Sequence, residues 1–353
     1  MKNVNWKKLA QVAKSRAIGE IDGHALISSG RIVATDLETT ISYPINIPGE
    51  AIVDIKTLSK TKFDSLAIEQ KDDSRWLIVK NGNAQSKMIC DYNPEDFPKP
   101  VECEKYWGEL TAEDIQNIKT ASGFVSNDEL RPVMTAVYIT HQHIVATDAH
   151  RLVWYNRKGK AGQLDLLMPS SVIRKFFTES EYSVYVATKD YEYEKDGKKV
   201  KETYVVNAKL VAKNGQEITL RNVDGKYPNF KAVVSSEYTA VSILPRTQLL
   251  NAVKLAENFA HQETLKGTFV FEQDSVTLTS EDLDLDKSYT EEIPQKWNID
   301  NPEISFEIGF NLQFIKNILS VNKSPQVEML LNFSNRHILI DRNILLMPVM
   351  LNH

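Results

Sequence analysis

The five residues Ile-Val-Ala-Thr-Asp occur twice in this chain, and the repetition limits the folds that the sequence can adopt. The first copy ends at Asp36 and the second at Asp148, 112 positions later. A more divergent third copy, VTLTSEDLDLDKSY at 276–289, places Asp282 opposite Asp148. A second marker, an aromatic residue or methionine before proline, recurs in the same order at Phe97-Pro98, Tyr227-Pro228 and Met347-Pro348. Recurring segments indicate a repeated structural unit. We predict three consecutive units at 1–105, 106–237 and 238–353.

Each predicted unit has the same order of helical and strand patterns. Helices are predicted at 6–16, 111–122 and 246–260, and shorter helices at 55–65, 170–179 and 311–320. Segments such as AVYIT (136–140) and TFVFE (268–272) are rich in β-branched and aromatic residues, which predicts strands. A strand within 198–214 is expected to follow a turn at 195–197. We therefore predict an α+β fold in which each unit packs two helices on antiparallel sheet. Only about fifteen residues separate Arg16 from the repeated strand, which argues against a first hairpin in unit one.

The composition is that of a folded globular protein. The 353 residues are too many for one ordinary core, and 42% are hydrophobic and 25% charged. No apolar run approaches the roughly 20 residues that a membrane-spanning helix needs. The basic N-terminal segment lacks the apolar stretch of a signal peptide, and two cysteines cannot form a disulfide framework or a four-thiolate zinc site. We expect a cytoplasmic protein without cofactors.

Positive charge is concentrated on the predicted helices. The six helices together carry a formal charge of +8, so the rest of the chain carries −13 against a total of −5. If the helices share one face, that face attracts a phosphate backbone without reading bases. The helix at 111–122 has a formal charge of −1 and weakens this pattern. Lysines on a solvated helix face would give the same count.

Catalysis is a weaker interpretation of the same residues. Asp36, Asp148 and His150 could act in acid–base or metal chemistry, with His141 and His143 as further ligands. The chain has no phosphate-binding loop, no HExxH motif and no nucleophile elbow. The two aspartates belong to the repeated segment, where capping a turn is the expected role.

Several motifs resemble the DNA polymerase III β subunit, the bacterial sliding clamp family. They are LRPVMTAVYIT (130–140), IVATDAHRLVWY (144–155), DGKYPNFKAVV (224–234) and LLMPVML at 345–351. The resemblance extends over the whole chain and is weakest over 1–105. It implies three similar clamp domains per subunit and a head-to-tail ring of two subunits, with the helices lining a central hole. A divergent clamp of a phage or mobile element fits the departures described below.

The resemblance also implies partners. Duplex DNA would pass through the ring without sequence preference, and the replicative polymerase and clamp loader would bind through short linear peptides. The helix charges then face DNA, at Lys7, Lys8, Lys14, Arg16, Lys56, Lys60, Lys119, Arg174, Lys175, Arg246, Lys254, Lys316 and Lys323.

The family's peptide pocket lies between its second and third domains. The matching positions here are Met134, Thr147, Ala149, His150, Arg151, Leu152, Pro228, Val233, Asn311, Phe314, Leu345, Leu346, Met347, Pro348, Val349, Met350 and Leu351. Methionine, leucine and phenylalanine side chains can form an adaptable apolar slot. The same apolar residues could equally be ordinary core. Ala149 stands where the family often has Gly, and Ala232 and Met350 stand where it commonly has a basic residue.

Ring closure would need complementary surfaces on the first and third units. We predict that the acidic residues Glu281, Asp282, Asp284 and Asp286, together with Phe259, face the basic Arg75, Lys80 and Lys87 of a second subunit. A solvated acidic loop is the alternative. A three-repeat interaction scaffold that does not encircle DNA remains the competing function, and it predicts a monomer.

Overall fold

The structure is a computed structural model and describes residues 4–13, 21–71, 73–195, 198–235, 237–299, 305–332 and 336–350. Within these ranges there are six α-helices: α1 (Trp6–Val12), α2 (Ile55–Leu58), α3 (Ala112–Ala121), α4 (Ser170–Phe176), α5 (Arg246–Ala256) and α6 (Leu312–Val321). All six lie where the sequence predicts helices. Helix α6 has the predicted length, shifted by one residue, whereas α2 to α5 are shorter than predicted and α1 ends at Val12. The predicted helix at 55–65 is a single turn, and residues 14–16 of the first predicted helix lie outside the described ranges.

The described strands, in chain order, follow the predicted alternation with the helices. They are β1 (His24–Ser28), β2 (Arg31–Thr35), β3 (Thr39–Pro44), β4 (Ala51–Asp54), β5 (Ser65–Lys71), β6 (Ser74–Asn81), β7 (Ala84–Ile89), β8 (Lys105–Leu110), β9 (Ala136–Ile139), β10 (His143–Thr147), β11 (Arg151–Asn156), β12 (Leu166–Pro169), β13 (Tyr182–Lys195), β14 (Lys198–Val211), β15 (Glu217–Arg221), β16 (Ala240–Pro245), β17 (Lys266–Phe271), β18 (Ser275–Asp282), β19 (Lys287–Pro294), β20 (Lys296–Ile299), β21 (Phe306–Asn311), β22 (Gln326–Leu331), β23 (Ile338–Ile340) and β24 (Ile344–Leu346).

The chain divides into two compact units. The first comprises Met1–Ser122, Glu129–Ile144 and Asn156–Gly225, and the second comprises Gly123–Asp128, Val145–Tyr155 and Lys226–His353. The predicted division into three domains stays a prediction. The α+β character is confirmed, because helices and antiparallel strands occur in both units.

The first unit contains an eight-stranded sheet in the order β4-β1-β2-β3-β15-β14-β13-β8 and a three-stranded sheet in the order β5-β6-β7. The expectation that unit one lacks a first hairpin is wrong, because β1 and β2 pair as antiparallel strands with Leu26 opposite Val33. The hairpin fits after Arg16 because its two strands have only five residues each, its turn has two, and its second strand already belongs to the repeated motif. Helices α1 and α2 pack as one pair and α3 and α4 as another.

The second unit contains the strand order β11-β24-β23-β22-β16-β20 and a four-stranded sheet in the order β19-β18-β17-β21. Helices α5 and α6 pack together. Alternate residues of β17 and β18 are buried, including Phe269, Phe271, Val276 and Leu278, as expected for sheets with one face on a core.

The helices begin and end for local reasons. Thr111 caps α3 in a capping box with Asp114, and the apolar residues Ile115 and Ile118 bury one face of the helix. The Asn311 side chain accepts the Phe314 N–H at the start of α6. The Asn311 cap fixes where α6 begins.

Candidate functional site

The second copy of the repeated motif forms a tight turn between β10 and β11. Asp148 Oδ1 accepts the N–H groups of His150 at 3.0 Å and Arg151 at 2.6 Å. The Thr147 hydroxyl donates to the Arg151 carbonyl at 2.7 Å and accepts the Ala149 N–H at 3.1 Å. Both side chains therefore complete backbone hydrogen bonds that the turn leaves open.

The first copy forms the same turn between β2 and β3. Asp36 Oδ1 accepts the N–H groups of Glu38 at 3.1 Å and Thr39 at 2.6 Å, and the Thr35 hydroxyl accepts the Leu37 N–H at 3.1 Å. Burial raises the pKa of Asp36, and the N–H bonds from Thr39 and Glu38 oppose that rise. The five-residue repetition is thus a repeated turn, as the capping interpretation predicts.

The divergent third copy keeps the aspartate but changes its setting. Asp282 is 3% exposed, and its Oδ1 accepts the N–H groups of Asp284 and Leu285. The predicted participation of Asp282 in an exposed acidic interface is therefore wrong, because its carboxylate turns inward to cap the β18–β19 loop. Glu281, Asp284 and Asp286 remain exposed.

Ala149 occupies a backbone conformation that favours glycine. Its φ is +74°, and Leu37 at the equivalent place has φ +76°. A left-handed conformation costs an L-residue roughly 1–2 kcal/mol because Cβ approaches the following carbonyl.

We expect Ala149→Gly to raise the free energy of unfolding by about 1 kcal/mol, because glycine adopts this conformation without strain. Urea denaturation of both proteins measures the change. Ala84→Gly is the matched control, since Ala84 is exposed in strand β7 without a positive φ and should lose stability. Equal losses at both positions would contradict the strain argument.

Arg151 is the most constrained side chain of this turn. It is 6% exposed, and its Nε and Nη2 donate to Asp148 Oδ2 at 2.9 and 2.7 Å. Its guanidinium also lies 5.1 Å from the ring centre of Phe124 and 4.4 Å from that of Phe314. A paired and sandwiched arginine fixes the turn. It is therefore a support for the site rather than a free ligand group.

The C-terminal segment lies beside this turn. In the β11–β24 pair, Arg151 is opposite Leu346. Past β24, the Met347 N–H donates to the His150 carbonyl at 2.9 Å and the Val349 N–H donates to the Gly309 carbonyl at 2.8 Å. The His150 and Phe314 rings stack with centroids 5.8 Å apart. Turn, helix start and tail are thus held together within the second unit.

The predicted pocket residues separate by exposure. Met347 is 42% exposed, Met350 80% and Val233 54%, so they present apolar surface to solvent. Leu152, Leu345 and Leu346 are at most 3% exposed and belong to the core beneath. Of the remaining predicted residues, the exposed ones are Ala149, His150 and Pro228, and the half-buried ones are Thr147, Asn311, Phe314, Pro348 and Val349. Met134 lies in the first unit, and Leu351 lies outside the described ranges.

The equivalent place in the first repeat has different chemistry. The Arg221 N–H donates to the Glu38 carbonyl at 2.9 Å, as Met347 does to His150. The Arg221 guanidinium forms ion pairs with Glu38 at 3.2 Å and Asp224 at 3.5 Å. Charged side chains therefore stand where the second repeat presents histidine and methionine. The backbone arrangement is repeated, but the apolar surface is not.

The helix charges are modified by tertiary contacts. The side chain of Asp114 in α3 is buried and pairs with the buried side chain of Arg157 at 3.6 Å. Because this carboxylate is neutralised inside the protein, the surface of α3 is less negative than its formal charge of −1 indicates. Lys316 pairs with Glu257, and Arg246 donates to the Ser324 and Leu319 carbonyls. These two cations are largely satisfied within the protein.

Other predicted DNA-facing residues are open to solvent. The exposed ones are Lys7, Lys56, Lys60, Lys119, Arg174, Lys175, Lys254 and Lys323, and Lys8 is half-buried with its Nζ 5.8 Å from the ring centre of Phe176. Lys56 also pairs with Asp22 at 3.6 Å, and Arg174 donates to the Ser122 carbonyl. Lys14 and Arg16 lie outside the described ranges. Each of the three helix pairs thus keeps exposed cations.

The predicted interface residues of the first unit lie on two different strands. Lys87 is exposed on the edge strand β7, whereas Arg75 and Lys80 lie on the central strand β6. In the second unit, Phe259 stacks on Tyr289 of β19 with centroids 5.7 Å apart. Three exposed apolar residues near these edges were not predicted from the sequence: Ile89, Leu283 and Leu285 are 50%, 83% and 57% exposed. In the sequence, Leu283 and Leu285 each stand between two aspartates, and that pattern could have indicated exposed contact residues.

Catalytic use of the repeated aspartates is not supported by their surroundings. Asp148 binds two backbone N–H groups and the Arg151 guanidinium, which fills its acceptor positions. Among the residues that the structure describes, no cluster of His, Cys, Asp and Glu could hold a metal ion. No described helix combines the length and apolarity needed to cross a membrane.

Comparison with known proteins finds similarity to DNA polymerase III β subunits and beta sliding clamps. The family described as "DNA polymerase III beta subunit, C-terminal domain" matches residues 231–344. The beta sliding clamp of Synechococcus elongatus is 24% identical over 302 residues, covering 82% of this chain and 75% of the relative. That of Caulobacter vibrioides is 22% identical over 227 residues, covering 62% of this chain and 57% of the relative.

Solved structures establish the fold over nearly the whole chain. The DNA polymerase III β subunit of Pseudomonas aeruginosa superposes with a TM-score of 0.82 at 18% identity, covering 98% of this chain and 97% of that one. The Thermotoga maritima β subunit gives a TM-score of 0.75 at 19% identity, covering 99% of both chains. The resemblance seen in the motifs is therefore confirmed by fold and by relatives.

Proposed function

We propose that this chain belongs to the DNA polymerase III β-subunit family and is a DNA sliding clamp that closes as a two-subunit ring around duplex DNA. Such a protein performs no chemistry itself. It keeps a polymerase on its template because the ring cannot leave a closed duplex. The observation that carries the proposal is a junction between two antiparallel strands that occurs twice within the chain, as β3–β15 and β11–β24. Two further edge strands, β19 and β7, have no such partner in the described part of the chain.

The junction joins the strand after each repeated turn to a strand at the end of the following repeat. In the first unit Thr39 of β3 lies opposite Leu220 of β15, and in the second unit Arg151 of β11 lies opposite Leu346 of β24. Strand β19 follows the third turn, and β7 ends the first repeat. In the described part of the chain neither has a strand on its outer side. Pairing of β19 with β7 of a second subunit would repeat the junction and close the ring head to tail.

The two edges have complementary surfaces. Leu283 and Leu285 are exposed beside β19, and Ile89 is exposed at the end of β7. Exposed Glu281 and Asp284 accompany the leucines, and exposed Lys87 lies on β7. An apolar centre with opposite charges around it favours pairing of unlike edges and disfavours pairing of like ones. This pattern supports a head-to-tail homodimer.

The ring would hold DNA through topology and diffuse charge. Exposed lysines occur on all three helix pairs, for example Lys7, Lys119 and Lys254. Lysines at scattered positions bind phosphates without base contacts, so the complex is salt-sensitive and free to slide. The remainder of the chain outside the predicted helices carries a formal charge of −13, which disfavours DNA binding there.

We further propose that polymerase and clamp-loader peptides dock at the surface formed by His150, Phe314 and Met347, and we assign the exposed Val233 and Met350 to the same site. The exposed methionines and valine supply adaptable apolar contacts. The stacked His150 and Phe314 rings provide a firm wall. The resemblance to the clamp family implies partner peptides with a glutamine plus apolar and aromatic residues, and the apolar side chains of such peptides would pack on this surface.

Retention on circular DNA tests the clamp function directly. Dissociated subunits are mixed with nicked circular DNA and concentrated so that rings assemble around it. After gel filtration at high salt, protein should co-elute with circular DNA and should be released when a restriction enzyme linearises the DNA. Retention that is equal on both forms would indicate ordinary binding. A monomer without any retention would favour the interaction scaffold.

Reversing charge on the first helix pair should weaken this retention. We expect Lys7→Glu, Lys8→Glu, Lys14→Glu and Arg16→Glu together to shorten the residence of the ring on circular DNA several-fold at low salt, because cationic contacts dominate non-specific binding. The difference should shrink as salt rises. Lys99→Glu with Lys296→Glu is the control for a charge change in the same direction, since both lysines are exposed and lie outside the helices. Unchanged residence at low salt would contradict a lumen lined by these helices.

A further inference from the structure

Strands β13 and β14 form a ribbon that extends beyond the rest of their sheet. Each has 14 residues, and they pair from Ser183–Val211 to Lys195–Lys198. Strand β8 accompanies β13 only over Tyr182–Val186, and β15 accompanies β14 only over Asn207–Val211. Within the described chain, neither outer edge of the ribbon is therefore paired with another strand over 188–195 and 198–205.

One face of the ribbon is aromatic. The register places Tyr191 opposite Glu202, Tyr193 opposite Val200, and Lys189 opposite Tyr204, all on this tyrosine face. The Tyr191 and Tyr193 rings stack with centroids 5.8 Å apart, and the Tyr193 hydroxyl donates to Glu202 at 2.8 Å. Tyr191 is 59% exposed and Tyr204 39%. Large aromatic side chains are thus presented to solvent on an element that has no core of its own.

The opposite face is charged, with one sign on each strand. Asp190, Glu192 and Glu194 lie on β13, and Lys199 and Lys201 lie on β14. Lys201 pairs with Asp190 at 2.8 Å, and the hydrogen bonds from Lys201 and Thr203 lower the pKa of Asp190. Glu192 and Glu194 are exposed and form no ion pair with a described side chain. The free negative charge of this face therefore lies on β13.

This charge pattern disfavours a dimer in which two copies of the ribbon pair β13 with β13 or β14 with β14. Two β13 edges would bring carboxylates opposite one another, and two β14 edges would do the same with lysines, which destabilises cross-strand pairs. A two-stranded ribbon is marginally stable alone, and its free edge is a template for an added strand. The complement of β13 is an extended segment with apolar residues on the tyrosine face and basic residues on the charged face.

We propose that the β13 edge over Thr188–Glu194 binds an extended segment of a partner protein in which apolar and basic residues alternate. Main-chain hydrogen bonds to the open edge supply register, as in other strand additions. Tyr191 and Tyr193 pack on the apolar residues, and Glu192 and Glu194 pair with the basic ones. This edge is separate from the strands and residues assigned to ring closure, DNA and the peptide pocket.

Three synthetic nine-residue peptides test the proposal on the full-length protein. One alternates lysine and valine, one alternates glutamate and valine, and one is the lysine peptide with a central proline. Fluorescence anisotropy at low salt should show the lysine peptide binding at least about tenfold more tightly than the glutamate peptide, which corresponds to about 1.4 kcal/mol. The proline peptide should bind more weakly than its parent because proline removes a donor. Equal binding of the lysine and glutamate peptides would overturn the proposal.

Variants locate the bound peptide. Glu192→Lys with Glu194→Lys should weaken lysine-peptide binding about tenfold or more, and Tyr191→Ser should weaken it several-fold. Glu263→Lys is the control for a like change at another exposed glutamate. Hydrogen exchange provides a readout without mutation, since the peptide should protect backbone amides of 188–194. Protection only elsewhere in the chain, or self-association of the protein without peptide binding, would refute the assignment.

Discussion

Replacing Leu283 and Leu285 by lysine should convert a two-subunit ring into single chains. The two leucines are 83% and 57% exposed in the free chain, and the proposed β19–β7 junction would bury both. Full burial of a leucine is worth about 1.5–3 kcal/mol. Losing two such contacts and adding two cations raises the dissociation constant by a factor on the order of 10²–10⁴. Light scattering over a wide concentration range measures the shift from roughly twice the 40.1 kDa chain mass to the chain mass itself.

A matched substitution separates ring closure from general surface effects. Leu255 of α5 is 51% exposed and lies outside the proposed junction, so Leu255→Lys should leave the mass distribution unchanged. The double variant should also lose the difference between circular and linear DNA in the retention assay. A double variant that keeps the dimer mass would show that the β19 edge does not form the interface. A wild-type monomer at every concentration would reject ring closure without DNA.

The repeated turn was the part of the fold that the sequence predicted best, because it depends on local hydrogen bonds. A threonine and an aspartate at fixed spacing satisfy the same backbone groups wherever they occur, as Asp36 and Asp148 demonstrate. The helices were also found in the correct places. Their ends were less accurate: the predicted helix at 55–65 is one turn, since Asp54 caps its start and strand β5 already begins at Ser65.

Surface charge was predicted less well because pairing partners are distant in sequence. Formal counting assigned α3 a net negative charge, but Arg157 neutralises Asp114 inside the protein from more than 40 positions away. Lys316 was counted as free, although Glu257 of the neighbouring helix pairs with it. Asp282 was counted as exposed, although it caps a loop from inside. In each case a tertiary contact changes which charges a ligand can meet.

The pocket assignment was the hardest to judge from the sequence, since apolar residues fit both a core and a binding surface. The structure divides them: Leu346 is fully buried, whereas Met350 is 80% exposed. The change from buried to exposed residues occurs because strand β24 ends at Leu346, after which the tail leaves the sheet. The consequence is that residues after Leu346 can be altered with little effect on the core.

Deleting Met347–His353 should therefore abolish partner-peptide binding while the protein remains folded. The tail contributes the exposed Met347 and Met350, which are the largest apolar groups that the proposed surface offers to solvent. Its removal also breaks the hydrogen bonds from Met347 to His150 and from Val349 to Gly309. At about 0.5–1.5 kcal/mol each, those bonds predict a loss of roughly 1–3 kcal/mol in the free energy of unfolding. Calorimetry with a glutamine-containing peptide should show affinity reduced by at least about a hundredfold, a loss of about 2.7 kcal/mol.

A single substitution distinguishes lost contacts from a disturbed fold. Met350→Ser removes an exposed apolar side chain but leaves the Met347 and Val349 backbone bonds in place, so stability should not change. Peptide affinity should nevertheless fall several-fold, because the serine cannot supply the apolar contact. Arg221→Ala is the control at the equivalent place in the first repeat, where charged residues replace the apolar ones, and it should leave peptide affinity unchanged. Normal affinity after tail deletion would place the peptide site elsewhere, since His150 and Phe314 alone retain little exposed apolar surface.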